Sequence, residues 1–499
     1  MAVIRAARHS HLQELITSML ARCATYVLHG VEARRVTVEC DVRPGLPSFT
    51  VIGLTDSSNR ELRDTVRAAV LNSGYRFPEC RVTVNIAPAS LRQPSPTISL
   101  AVAAAVLAAG QMPADQVADV VVYGALTLSG EIRPLPGVLA AAAEHRAGGC
   151  QGMLLYAGAA LPQDLAPIPS QPVSHLREIP GSDRGRPVSA VPVSVAPQPD
   201  FAEIRGCEEA IFALTVAAAG GHHVLLRGRP GLGARMLARR LVSILPELTD
   251  GEQQEVATIR DAAGLGQQRD RPFRAPHHTI STAGLVGGGS PVRPGEVTLA
   301  HHGILYLDDL HEFPRSNLDA LRAPLTDHGI SIVRGERGYR FPARFQLLAA
   351  VSPCPCGYGN TERCVCDAAA IVRHRRRLAG PLLDHFAIFV DLPSAGDVAA
   401  AAPGPSSAQL RDRVLAARER HAHRHAAPRV CGAPADPIAG SLSFDLPADA
   451  QAALERAYQT GSLSPRGHRQ VLQVAQTIAD LAGEDSITPA ALEAALALR

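Results

Sequence analysis

Lysine is missing from all 499 residues, so the 49 basic side chains are arginines. That absence excludes every mechanism needing a lysine amine, including a Schiff base, a Ser–Lys dyad and the amine of an ordinary phosphate-binding loop. A codon-level drift toward arginine accounts for the bias as composition. Tryptophan is also absent and aromatics reach only 4%, against 46% hydrophobic residues. This suits a helix-rich α/β protein rather than a β-sandwich or a disordered chain. Charge of one sign is lacking too: 49 basic against 47 acidic groups leave +2, so any polyanionic partner must be met by a local patch. Long apolar runs are missing as well. The longest, Ile98–Ala109, falls short of the roughly 20 residues that cross a bilayer, and the start carries no charged-then-apolar leader pattern. A cytoplasmic protein without a membrane partner is expected. Single cysteines (Cys23, Cys40, Cys80, Cys150, Cys207, Cys431) then read as small core residues.

Length suggests about three domains. Residues 34–42 alternate Val36, Val38, Cys40 and Val42 with polar neighbours, the period of a half-buried strand. LPSFTVIGL and CRVTVNIAP read as further strands, and Leu62, Val66, Val70 and Leu71 share a helical face closed by Gly74. A helix over Leu100–Leu107 and a hairpin at Ser129-Gly130 complete an α+β unit. The organisation expected is an extension over 1–25, an α+β domain over 26–160, a Pro-rich linker over 161–199, a parallel-sheet core over 200–395 and a helical domain over 396–499. In the core, HHVLLRG, RPGLG and ARMLARRLVSIL run strand, glycine turn, helix. GILYL, RFQLLAAVS and FAIFVDLP fit buried parallel strands, and Leu463–Leu481 forms an amphipathic helix.

Four segments carry chemistry. Gly228-Arg229-Pro230-Gly231-Leu232-Gly233-Ala234-Arg235 keeps the glycines of a G-x-x-x-x-G-K-[ST] loop, whose backbone N–H groups converge on phosphates at a helix N-terminus. Ala234 stands in the lysine place and Arg235 in that of the Mg²⁺-holding hydroxyl. As an isolated motif it also fits a plain strand–turn–helix corner. Asp308 and Asp309 end the strand ILYL, where a hydrolase orients Mg²⁺ and polarises water; the alternative is two solvated acids. Cys354, Cys356, Cys364 and Cys366 supply four thiolates, the ligand number of a structural Zn²⁺ site, or else two cysteine pairs under a loop. Arg334, Arg337 and Arg340 bracket a turn between short strands and suit phosphate-backbone contact as well as a solvated face. The run Arg373-His374-Arg375-Arg376-Arg377 reads as a solvated or subunit-facing helix end.

Between Phe273 and Asp384 the segments FRAPHHTIS, AGLVGGGS, RPGEVTLAHHGILYLDDLHEF, LRAPL, FPARFQLLAA, PCPCG and GPLLD resemble the magnesium-chelatase-like AAA+ family of bacterial proteins of ComM/YifB type. GLPSFTVIGL, RVTVNIAPA, DFAEIRGCEEA and LSPRGHRQVLQVAQTIADLAG extend the likeness, in order, over most of the chain. The resemblance implies an N-terminal domain similar to ribosomal protein S5 and the Lon protease domain, an AAA+ core and a helical lid. It also implies ATP and Mg²⁺ as cofactors, a homo-hexamer or mixed ring, and ATP-driven branch migration of DNA in natural transformation. Residue by residue, the likeness leaves the hydrolytic site depleted. Beyond Ala234 and Arg235, the second acid is Asp309, the residue before PCPCG that senses the terminal phosphate is Ser352, and the arginine after GPLLD that reaches a neighbour's nucleotide is His385. Asp308 and the lid arginine of L-S-x-R, Arg466, stand unchanged. Such a finger arginine is worth roughly 10³–10⁵ in rate in other hydrolases. Arg92-Gln93-Pro94-Ser95 departs from a family stretch containing lysine and glycine, so a Lon-type dyad is excluded. The likeness starts near Met19, which points to a start there or to a loose helix before it. Three readings follow: a motor in which Arg235 or Arg229 serves for the lysine, a non-hydrolysing ring subunit, and metal delivery, for which the chain lacks a recognisable partner domain.

Overall fold

Apolar residues at every second position of Glu32–Arg43 make this segment a strand with Val36, Val38 and Cys40 fully buried. It belongs to a computed structural model that describes residues 19–499 apart from 54–55, 89–94, 111–119, 149–152, 158–160, 162–169, 182–197, 336, 360, 379–381, 394–403, 426–450, 452–453 and 455–463. Cys150, Cys431 and Arg92-Gln93-Pro94 lie outside the described residues, as does everything before Met19. The chain divides into two units, residues 1–194 with 257–268, and 195–256 with 269–499.

The first unit runs β1 (Met19–His29), β2 (Glu32–Arg43), β3 (Ser48–Ile52), α1 (Asp56–Asn72), β4 (Arg81–Ala87), α2 (Pro96–Gly110), β5 (Val120–Tyr123), β6 (Ala125–Leu126), β7 (Ile132–Arg133), α3 (Val138–Ala147), β8 (Met153–Tyr156) and β9 (Ser170–Pro172). Seven strands pair in the order β3-β4-β2-β1-β5-β8-β9, with β6 and β7 a separate hairpin. Both faces are covered. Along β1, Ala21 and Cys23 pack in the core that holds α2, whereas Ala24 and Tyr26 pack in the core that holds α3. α2 is apolar all round and buried from Thr97 to Ala109 but for Ser99, as a helix inside a layer must be; each Leu, Ile or Val so covered contributes about 1.5–3 kcal/mol. Burial pushes the thiols of Cys23 and Cys40 up to about 12, which leaves them inert.

Two sequence expectations change here. β1 starts at Met19, inside the segment expected as an extension. The linker expected over 161–199 contributes β9, which pairs with β8, and buries Val173, Leu176 and Ile179. Pro172 is tolerated in β9 because it is the edge strand.

In the second unit come α4 (Glu208–Gly220), β10 (Val224–Arg227), α5 (Ala234–Ile244), α6 (Asp250–Ala262), β11 (Phe273–Arg274), β12 (Gly303–Leu307), β13 (Gly329–Arg334), β14 (Arg337–Pro342), β15 (Phe345–Val351), α7 (Ala368–Leu378), β16 (Ile388–Asp391), α8 (Ser407–His425), α9 (Pro465–Ala482) and α10 (Pro489–Ala497). The last part of α6 counts with the first unit. The sheet is parallel throughout, in the order β11-β12-β15-β10-β16. In chain order this is 2-3-4-1-5, so the sheet is wound outward from both sides of β10, and ligands of such sheets bind at the carboxyl ends of the strands beside that reversal. α8, α9 and α10 share one buried cluster with α4, α5 and the sheet, joining Leu410, Val414, Val474 and Leu492 to Leu226, Leu241 and Ile304. The helical domain expected over 396–499 is thus packed into the core unit. No helix among the described residues is long and apolar enough to cross a membrane.

Candidate functional site

β10 delivers the glycine loop to the carboxyl edge of the sheet. Gly228 donates its N–H to Val351 O at 3.1 Å, and Gly231 and Gly233 take φ of +87° and +88°. A Cβ at Gly231 would meet nothing within 4 Å, so backbone conformation rather than crowding demands glycine there. Gly233 caps α5, whose Leu237, Ala238, Leu241 and Ile244 face the core and hold the helix N-terminus in place. A cavity of about 700 Å³ opens at this point, lined by Gly228 through Met236, Arg239, Asp308, Asp309, Ser352 and Leu392 among others.

Three features of the cavity come from its neighbours. Tyr306 on β12 donates its hydroxyl to Asp308 Oδ1 at 3.0 Å, and burial, then the Asp308 charge, push that phenol far above its usual range, with Arg235 opposing. Asp309 takes φ of +50°, a left-handed conformation that a short acid tolerates better than a branched residue. Ser352 follows β15 and is buried, its carbonyl accepting from His374 Nε2 at 2.7 Å. The side chains of Arg229, Arg235 and Arg239 line the cavity and make no hydrogen bond or ion pair among the described residues, whereas Arg240 pairs with Glu203 and donates to Asp200 O at 2.7 Å.

The cavity therefore unites Gly228, Arg229, Pro230, Gly231, Leu232, Gly233, Ala234, Arg235, Asp308, Asp309 and Ser352, but not His385 or Arg466. Those two meet elsewhere, in a second cavity of about 430 Å³ with Asp319, Arg322, Asp327 and Asp384. Arg466 Nη2 lies 3.1 Å from His385 Nδ1 and Nη1 lies 3.3 Å from Nε2. Burial, then the Arg466 charge, hold the His385 imidazole down at about 4, so it is neutral at pH 7 and supplies no cation. Backbone donors at a glycine loop suit phosphates. Mg²⁺ is served worse, because the hydroxyl ligand is replaced by a guanidinium.

Cys354, Cys356, Cys364 and Cys366 converge, with their sulfurs all within 4.8 Å of one another. The separations are 3.3 Å for Cys354–Cys356, 3.8 Å for Cys354–Cys364 and 3.7 Å for Cys356–Cys364. The backbone N–H groups of Tyr358 and Val365 hold the Cys356 thiol down at about 6.

At the β13–β14 hairpin Arg334 faces Arg337 across the register. The Arg334 side chain is tied to Gly289 O, while the side chains of Arg337 and Arg340 make no hydrogen bond or ion pair among the described residues. On α7 His374 is buried and Arg373, Arg375, Arg376 and Arg377 are exposed.

The sequence reading passed over the Glu255, His301 and His302 cluster, although the His-His pair was visible. Its chemistry resolves it. His301 Nδ1 accepts the Arg344 N–H at 2.9 Å, so Nε2 carries the proton and donates to Glu255 at 3.0 Å. A neutral imidazole used at both nitrogens offers no lone pair to a metal.

Loop, acid pair and strand order together define a protein of the AAA+ class. Comparison with known proteins agrees: residues 38–158 match the family described as subunit ChlI of Mg-chelatase, residues 200–399 match magnesium chelatase, subunit ChlI, and residues 404–499 match its C-terminal family. The chain is 37% identical to "Uncharacterized protein YifB" of Escherichia coli (strain K12) over 94% of this chain and 95% of that protein. It is 38% identical to an uncharacterized protein of Mycobacterium tuberculosis (strain ATCC 25618 / H37Rv), covering 96% and 98%, and 35% identical to "Competence protein ComM" of Haemophilus influenzae (strain ATCC 51907 / DSM 11121 / KW20 / Rd), covering 94% and 95%. The chain belongs to the magnesium-chelatase-like family, of the ComM/YifB type.

Proposed function

We propose that this chain is a cytoplasmic ring subunit that works on DNA, in a role of the branch-migration or natural-transformation kind, with a nucleotide site that has lost hydrolysis. The observation that carries the reading is the wall of the loop cavity, where Ala234 and Arg235 stand in place of the amine and the hydroxyl. The competence role is suggested by the name of one relative, the competence protein, and a DNA partner by the unpaired side chains of Arg337 and Arg340. ATP or ADP would be held through the backbone donors of Gly228–Gly233, without the Mg²⁺ geometry of an active site. Arg466 and His385, set in their own cavity, would face the nucleotide of a neighbouring subunit in a homo-hexamer or mixed ring. The four thiolates would hold one structural Zn²⁺.

A second reading is an active motor, favoured by the three unpaired guanidinium groups of Arg229, Arg235 and Arg239, any of which could serve for the amine. Calorimetry with ATP separates the two when run on the parent and on the Ala234→Lys, Arg235→Thr double variant. The first reading expects weak or no Mg²⁺-dependent binding in the parent and a gain in the variant. Tight Mg²⁺-dependent binding by the parent that the variant does not improve would instead favour the motor.

A further inference from the structure

The cysteine cluster does not stand apart from the phosphate loop. Cys354 is fully buried and follows the cavity-lining Ser352 by two residues. Its carbonyl accepts the Gly357 N–H at 2.9 Å and its sulfur accepts the Gly359 N–H at 3.1 Å, so the sulfur fixes the turn from Cys354 to Gly359. That turn leans on the phosphate loop. A Cβ at Gly357 would lie 2.6 Å from Pro230 Cδ and 2.9 Å from its Cγ, and Gly357 itself has φ of +81°. Both space and backbone therefore demand glycine where the two loops meet.

The sulfur geometry suits one ion. Tetrahedral zinc with bonds of about 2.3 Å separates its sulfurs by about 3.8 Å, close to the 3.7 and 3.8 Å found from Cys364 to Cys356 and to Cys354, with Cys354–Cys356 closer at 3.3 Å. Sulfurs this close surround a single metal rather than a multi-iron cluster, and four thiolates select a soft ion over Mg²⁺ or Ca²⁺. A closed set of four leaves no open position for substrate, so the ion's role is structural.

Resting on that zinc reading, we propose that the metal-bound cysteine loop is a clasp that braces the phosphate loop: zinc at Cys354, Cys356, Cys364 and Cys366 holds Gly357 against Pro230 and so fixes the backbone N–H groups of Gly228–Gly233. Zinc content, through this contact, sets how well the loop is formed for phosphate, whatever the fate of hydrolysis.

The test uses the full chain. Element analysis of the purified protein should find one Zn²⁺ per chain, and hydrogen–deuterium exchange is then followed at residues 228–234 with zinc bound and after removal by a chelator. Zinc loss should speed exchange there about tenfold or more, while β2 in the first unit stays protected. Gly357→Ala should retain zinc and show the same faster exchange at the loop. Failure to find zinc overturns the zinc reading and the clasp with it. Zinc that can be removed without change at 228–234 overturns the clasp alone and leaves the zinc reading standing. Should removal unfold the second unit, Gly357→Ala decides: unchanged exchange at the loop with zinc retained contradicts the clasp.

Discussion

Single residues decide the chemistry of the loop cavity. A drift from lysine to arginine would have left arginine at position 234, yet Ala234 is there and the guanidinium sits one residue on, at the place of the metal-holding hydroxyl. In the second cavity His385 decides likewise, since burial and Arg466 keep it neutral. Asp261 offers a residue-scale test independent of nucleotide. Its carboxylate accepts the N–H groups of Gly137 at 3.1 Å and Leu139 at 2.9 Å at the start of α3, and burial raises it to about 6 against those donors. A carboxyl raised on folding binds its proton more tightly in the native state, so its contribution to stability grows as pH falls from 7 toward 4. The difference corresponds to about 3 kcal/mol between the two protonation states. Urea unfolding of the first unit should therefore show the parent gaining stability relative to Asp261→Asn between pH 7 and pH 5. A difference that stays flat over that window contradicts the assignment.

Elements were legible in the sequence where period and burial agree. The loop between β10 and α5 stood out because an apolar run, a glycine turn and a 3.6-residue pattern follow one another. β1 did not, because its residues are buried on both faces and the alternation that marks β2 is lost. β9 was hidden by Pro172 within it and by Pro162, Pro167 and Pro169, which precede it. Pairing of His385 with Arg466 could not be read either, as 81 positions separate them and only tertiary packing brings them together. The arginine hairpin looked uniform in sequence, but the structure divides it. Arg337→Ala with Arg340→Ala should lower the dependence of log DNA affinity on log salt by about 2. Arg334→Ala should instead loosen the Gly287–Gly289 turn through the lost bond to Gly289 O, visible as faster amide exchange there. An unchanged salt slope in the double variant would move the DNA contact off this hairpin.

For the whole molecule, the two cavities share no lining residue, and the proposed ring would bring His385 and Arg466 of one subunit to the loop of the next. A mixing experiment tests this. Chains restored at the loop (Ala234→Lys, Arg235→Thr, Asp309→Glu, Ser352→Asn) keep His385 and should turn over ATP slowly. Adding chains with the parent loop and His385→Arg should raise turnover by about 10³ if each arginine reaches a neighbour's nucleotide. No stimulation on mixing contradicts assembly in which that edge meets the next subunit's loop.

The central claim, that the AAA+ fold is kept while hydrolysis is gone, meets its most direct test in steady-state ATP turnover of the purified parent beside Asp308→Ala, with Mg²⁺ and with DNA. The account predicts that the two proteins are indistinguishable under every condition. Mg²⁺-dependent turnover in the parent that disappears in Asp308→Ala would contradict it.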